Sequence, residues 1–220
     1  MGRPGQGYSA AMSSSRTARF LVGAACVAVA LVVGYVLIKE AKKRYEARAV
    51  VWIVQDATAE LKAGLKTPSK EGIEKIEKSI RQTQGWANVE VADATEQYLI
   101  GAREILRRRA EATRLSQKAA ASRAALVAHM DRAPRRDLPW IRAATDLKKQ
   151  VERDHFDLDV QLGALADLLG AMPEANKRLA PHVSVSLLFD DGFRRSARDA
   201  VLIEARRARA DLDKTRSLLI

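Results

Sequence analysis

Nineteen consecutive residues without a charge, Phe20 to Ile38 (FLVGAACVAVALVVGYVLI), constrain this chain more than any other feature. At about 1.5 Å per residue, a helix of that length just crosses the roughly 30 Å hydrocarbon core of a bilayer. Arg16 and Arg19 bound the run on one side; Lys39, Glu40, Lys42, Lys43 and Arg44 bound it on the other. No second such run follows in the 220 residues. The expected organisation is a disordered Gly- and Ser-rich tail over 1–19, a transmembrane helix over 20–38 and one helical bundle domain over 39–220.

A cleaved signal peptide would carry a shorter apolar stretch and a small-residue cleavage site, whereas this run ends in Gly34-Tyr35-Val36-Leu37-Ile38 and meets charge at once. Cys26 is the chain's only cysteine. It lies too deep in the run for a lipid-attachment site and reads as a small apolar residue facing lipid or a helix neighbour. Ala24–Ala28 and Ala30–Gly34 are small-xxx-small pairs that permit close helix association, a common pattern and a weak signal. Two basic residues stand just before the span and five just after it (Lys39, Lys42, Lys43, Arg44, Arg48), so the positive-inside rule favours a cytoplasmic C-terminal domain. The opposite arrangement, with the tail inside and the domain exported, is the alternative. A bacterial inner membrane is the expected location.

Only three of the 38 basic residues and none of the 27 acidic ones precede Lys39. The domain is therefore basic, with arginines clustered over 103–114, 132–136 and 194–209. Such a surface is drawn to anionic lipid, nucleic acid or an acidic protein, though a solvated helical face accounts for it as simply. Aromatic residues are too sparse to suggest stacking platforms for single-stranded nucleic acid. Without a cysteine after residue 38, disulfides and thiolate zinc sites are excluded from the domain.

Every persistent apolar pattern after the span has helical period. Ala47, Val50, Val54, Ala57, Leu61 and Leu65 predict a helix continuing from the span to about Lys66, and Thr67-Pro68-Ser69 ends it and caps the next. Ile73, Ile76 and Ile80 mark a short amphipathic helix closed by Gly85. A long alanine-rich helix follows over 88–131; Asp93-Ala94-Thr95-Glu96 resembles a capping box that either lies inside it or marks its start. After the break at Pro134–Pro139, the positions Ile141, Ala144, Lys148, Val151, His155, Leu158, Leu162, Leu165, Leu169 and Met172 step 3-4-3-4. That is a heptad seam interrupted only by Lys148 and His155, and Pro173 is expected to stop it. A connection over 174–186 leads to a last helix from about Asp190 to Leu219. The fold expected is all-α: a single N-terminal transmembrane helix, then an elongated antiparallel helical bundle of four long helices plus one short.

Three features invite a chemical reading. Glu152-x-x-His155 has the spacing of half a carboxylate-bridged di-iron site, but His129 and His182 carry leucine, not glutamate, three residues earlier, so no metal is expected. The competing reading pairs His155 with Asp159 one turn later as a switch within the seam. The loop holding Arg132, Arg135, Arg136 and Trp140 has the composition of a membrane-interface or acidic-partner contact. It reaches the bilayer only if the short helix packs sideways, letting the 88–131 helix return toward the membrane; a full antiparallel layer there turns the loop away.

No acid–base, nucleophilic or cofactor constellation is found, so no enzyme and no cofactor are expected. The sequence reads as a non-catalytic, single-pass, membrane-anchored protein acting through protein–protein contacts as a scaffold, adaptor or assembly factor, possible homo-oligomerisation included. An extracytoplasmic sensor-like bundle and a cytoplasmic basic domain binding anionic lipid or nucleic acid are the alternatives.

Overall fold

The structure, a computed structural model, describes the backbone of residues 9–132 and 137–217 and the side chains of 26–131 and 137–217. The described chain is helical and carries no strand: α1 (Ser9–Lys66), α2 (Lys70–Thr83), α3 (Val89–Arg132), α4 (Leu138–Leu179) and α5 (Asp191–Ser217), with a one-turn 3-10 helix at Val185–Leu187. The chain divides into two compact units, Met1–Glu46 and Ala47–Ile220.

In the first unit, the expected tail and the start of the apolar run have side chains outside the described residues. From Val27 to Ile38 the large apolar side chains are at least half exposed, at positions that follow one another too closely to share one helix face. At 100° per residue, Val27, Leu31, Val32, Val33, Tyr35 and Leu37 together leave no sector of the helix surface wider than about 100° without an exposed apolar side chain. Among the described residues, no helix is long and apolar enough to cross a membrane.

The second unit is a helical bundle. Short polar caps delimit its helices. The Gly72 N–H donates to Ser69 Oγ (3.0 Å) to start α2, and Gly85, with φ at +81°, supplies the left-handed residue just after α2 ends. Val91 N–H donates to Asn88 Oδ1 (3.3 Å), which starts α3 and places Asp93–Glu96 inside it. Trp140 and Phe193 N–H groups likewise donate to the caps Asp137 (2.9 Å) and Asp190 (2.7 Å).

Pairing across helices fixes their directions. Thr58 meets Tyr98 (2.6 Å between hydroxyls) and Arg109 Nε donates to Leu65 O (3.2 Å), so α1 and α3 run the same way. Lys75 pairs with Glu60 across the tight α1–α2 turn, making α2 a full antiparallel layer. Arg178–Gln97, Arg108–Gln161 and Lys118–Asp154 set α4 antiparallel to α3; Arg209–Asp159 and Arg216–Glu152 set α5 antiparallel to α4. The end of α3 at Arg132 and the start of α4 at Leu138 therefore lie at the opposite end of the bundle from Ala47. At 1.5 Å per residue, α3 runs roughly 35 Å beyond its level with the end of α1.

Alanine and glycine let the helices close up. A Cβ on Gly64 would overlap Leu106 Cδ2, so any other residue here forces the buried Leu106 side chain to shift. Tyr98 is fully buried, and burial pushes its phenol up to about 12 even though Thr58 and the Phe189 backbone bond to it.

Pro173 does not stop the seam: α4 passes through it to Leu179. Proline removes the N–H that would reach Leu169 O four residues back. That carbonyl instead accepts a long bond from Arg194 Nη1 of α5 (3.5 Å), so a neighbouring helix takes over the group that the proline abandons. Asn176, one turn on, donates its amide to Phe189 O (2.8 Å) and ties the last turns of α4 to the α4–α5 connection.

Candidate interaction site on the α3–α4 arm

The continuous apolar core runs from Val50 on α1 to Ala119 on α3, Leu158 on α4 and Ala208 on α5, and there it stops. Three more apolar residues, Leu126, Ala144 and Val151, are buried but lie outside it. What separates the two is a polar layer. Asp154 is 1% exposed, and its Oδ1 accepts from Lys118 Nζ (2.8 Å) and Gln150 Nε2 (2.7 Å). Its Oδ2 is shut off from solvent without a well-aligned donor, because the facing Ser122 hydroxyl is turned to Ala119 O (3.1 Å). Burial pushes the Asp154 carboxyl up, but the bonds from Lys118 and Gln150, the nearby Ser122 hydroxyl and the Lys118 charge outweigh it, holding the group below its ordinary value.

His155, buried beside it, places Nδ1 2.9 Å from Val151 O. A carbonyl only accepts, so Nδ1 carries the proton. The expected partner, Asp159, bonds instead to Arg209 Nε of α5 (2.8 Å), so the structure gives the two residues of the proposed switch different partners. Glu152, the carboxylate of the E-x-x-H, pairs with Arg216 at 3.3 Å. Among the described residues, no group of three His, Cys, Asp or Glu side chains could hold a metal ion.

Beyond the polar layer, α3 and α4 form a two-helix arm. At its tip the His129 and Trp140 rings stack, with centroids 5.2 Å apart and planes 21° from parallel, and His129 Nε2 lies 3.2 Å from Trp140 O. Trp140 Nε1 is buried without an acceptor. Leu138, beside it, is 70% exposed. Of the four residues expected at this loop, Trp140 alone lies within the described side chains; those of Arg132, Arg135 and Arg136 lie outside them.

Asp154 is the residue that sequence reasoning passed over. A second 3-4 stripe on α4, at Val151, Asp154, Leu158, Gln161 and Leu165, runs along the side facing α3 and contains it. Two open grooves also mark the bundle. One, of about 400 Å³, lies between α1 and α2 over Asp56, Glu60, Lys75 and Ser79. The other, of about 340 Å³, lies where α4 ends, against Pro173, Asn176, Val185, Leu188 and Phe189. Neither gathers convergent catalytic groups.

Comparison with protein-family models, with curated proteins and with solved structures finds no match.

Proposed function

We propose that this chain is a single-pass, membrane-anchored helical bundle that does no chemistry and works by protein contact, as a scaffold, adaptor or assembly factor. The observation that carries the reading is the exposure, on every side of the first unit's helix, of the apolar residues from Val27 to Ile38. An apolar face open all round requires an apolar surrounding, and the uncharged run Phe20–Ile38 supplies a bilayer's length of it. The basic residues that follow the span favour a cytoplasmic bundle.

The basic residues Arg132, Arg135 and Arg136 beside Trp140 favour an acidic protein partner for this loop.

Alkaline carbonate extraction of membranes tests the anchor, and a C-terminal reporter fusion tests the side. The intact chain should stay in the pellet, and the Val29→Arg, Val33→Arg double variant should appear in the supernatant. Release of the intact chain by carbonate would overturn the reading.

A further inference from the structure

The groove between α3 and α4 is filled by α5 only part of the way. Arg209 meets Asp159 (2.8 Å), Arg216 meets Glu152 (3.3 Å), and Asp211 meets Arg123 of α3 (3.1 Å). The described part of α5 ends at Ser217, level with the polar layer, while α3 and α4 continue together for about 20 Å, or about 13 residues of helix. The stripe that faces α5 continues with them. Val127 stands one turn past Arg123, and Lys148 one turn before Glu152, with Ile141 two turns further on the same face. Val127 is 37% and Ile141 46% exposed, above the buried Leu126 and Ala144. Lys148, half-buried at a seam position, has no acidic partner among the described residues.

We infer that this uncovered groove docks an acidic amphipathic helix of a partner protein, laid along the line that α5 follows further up. The inference rests on the protein-contact reading above and names the partner's chemistry. Continuity is the first argument: the same two helix faces already hold a helix through an apolar strip flanked by ion pairs. Charge is the second. Residues 121–150 hold seven basic side chains, of which Arg123 is taken by Asp211, against three acidic ones, Asp131, Asp137 and Asp146, of which Asp137 is engaged in capping α4. In the filled part of the groove, α4 presents acids (Glu152, Asp159) and α5 answers with arginines. In the open part α4 presents Lys148, so the polarity is reversed and the incoming helix must supply the acid.

The test uses the full chain in phosphatidylcholine nanodiscs and two synthetic three-heptad peptides with one leucine seam, flanked by glutamate in one and lysine in the other. Fluorescence anisotropy should show the glutamate peptide binding and the lysine peptide not. Ile141→Asp should weaken binding about tenfold or more. Lys148→Glu, a surface reversal that keeps the fold even if Ile141→Asp does not, should weaken the glutamate peptide and admit the lysine one. Equal binding of both peptides, or indifference to both substitutions in folded protein, overturns the inference. So does tighter binding after truncation at Ser217, which would make the chain's own C-terminus the occupant, or self-association abolished by Ile141→Asp, which would make it a second copy. Carbonate extraction reads the anchor separately, so failure of one leaves the other standing.

Discussion

Asp154 offers the sharpest test of how the bundle is held, because two substitutions at one position should move stability in opposite directions. Its carboxylate is removed from water and held by Lys118, which is itself about half in solvent, and by the Gln150 amide. Replacing it with alanine deletes charge-assisted bonds worth about 1.5–3 kcal/mol each in favourable cases, less here because water screens the ammonium. It also leaves the Gln150 amide without its acceptor. A net loss of about 2 kcal/mol is expected, which for a domain of this size lowers Tm by about 4–8 °C. Leucine is a different case. It fills the space, releases Lys118 to solvent and joins Leu126, Ala144 and Val151 to the main core. Exchanging buried ionic groups for well-packed apolar ones is often neutral or stabilising by about 1–4 kcal/mol. Asp154→Leu should therefore melt at or above the wild-type temperature and Asp154→Ala below it, followed by circular dichroism of the full chain in detergent.

The pH dependence has a definite sign. The folded Asp154 titrates below its unfolded counterpart, which lies near 3.9. Its ionised form thus adds stability that is complete above about pH 5 and is lost as the pH falls through the folded value. The gap between wild type and Asp154→Asn should shrink on acidification. A gap that widened toward pH 3, or an Asp154→Leu variant less stable than Asp154→Ala at pH 7, would refute the account of this layer.

Three further outcomes follow from the packing. Leu126→Ala should cost about 2–3 kcal/mol, and because its cluster is cut off from the main core, faster amide exchange should be confined to residues 120–150. Gly64→Ala should destabilise by about 1–3 kcal/mol through overlap with Leu106, relieved by Leu106→Ala in the same chain and read from urea melts. Pro173→Ala should stabilise by about 1–3 kcal/mol, since the restored N–H reaches Leu169 O, and Arg194→Ala should cost less in that background than in the wild type.

Helix positions were the most legible part of the sequence, because each rests on local spacing. Ser69, Asn88, Asp137 and Asp190 cap as short polar side chains do wherever an apolar 3-4 stripe begins, and the seam from Val151 to Met172 is buried at every heptad position. Legibility fails where a neighbouring helix decides. Pro173 reads as a stop because sequence spacing shows the lost N–H and not the arginine that comes from twenty-one residues further on to meet the stranded carbonyl. His155 and Asp159 share a helix face, yet Asp159 is drawn to Arg209, whose place is set by the level at which α5 enters. Ile141 and Lys148 continue the seam faultlessly and are still not buried, because the described α5 ends before it reaches them.

That last mismatch connects the pattern to function. A 3-4-3-4 seam states that a helix face is built for a partner, without stating that the partner belongs to the same chain. On α4 the upper seam positions are covered from within. The lower ones, Ile141 and Lys148, keep the pattern with no described helix over them. A residue exposed merely by the end of a bundle carries no reason to hold heptad spacing. An apolar residue and a basic one, seven apart on the stripe that α5 uses above, match what a separate helix with acidic flanks would need. The polar layer at Asp154 then has a physical consequence beyond register. Because the layer cuts the arm's small apolar cluster from the main core, local opening of the arm around an incoming helix should leave the bundle above undisturbed. If so, Asp154→Leu should stiffen the arm as it stabilises the fold. Slower amide exchange at Leu126 and Ala144 with unchanged exchange at Leu162 would bear that out; equal slowing along all of α4 would show that the layer insulates nothing.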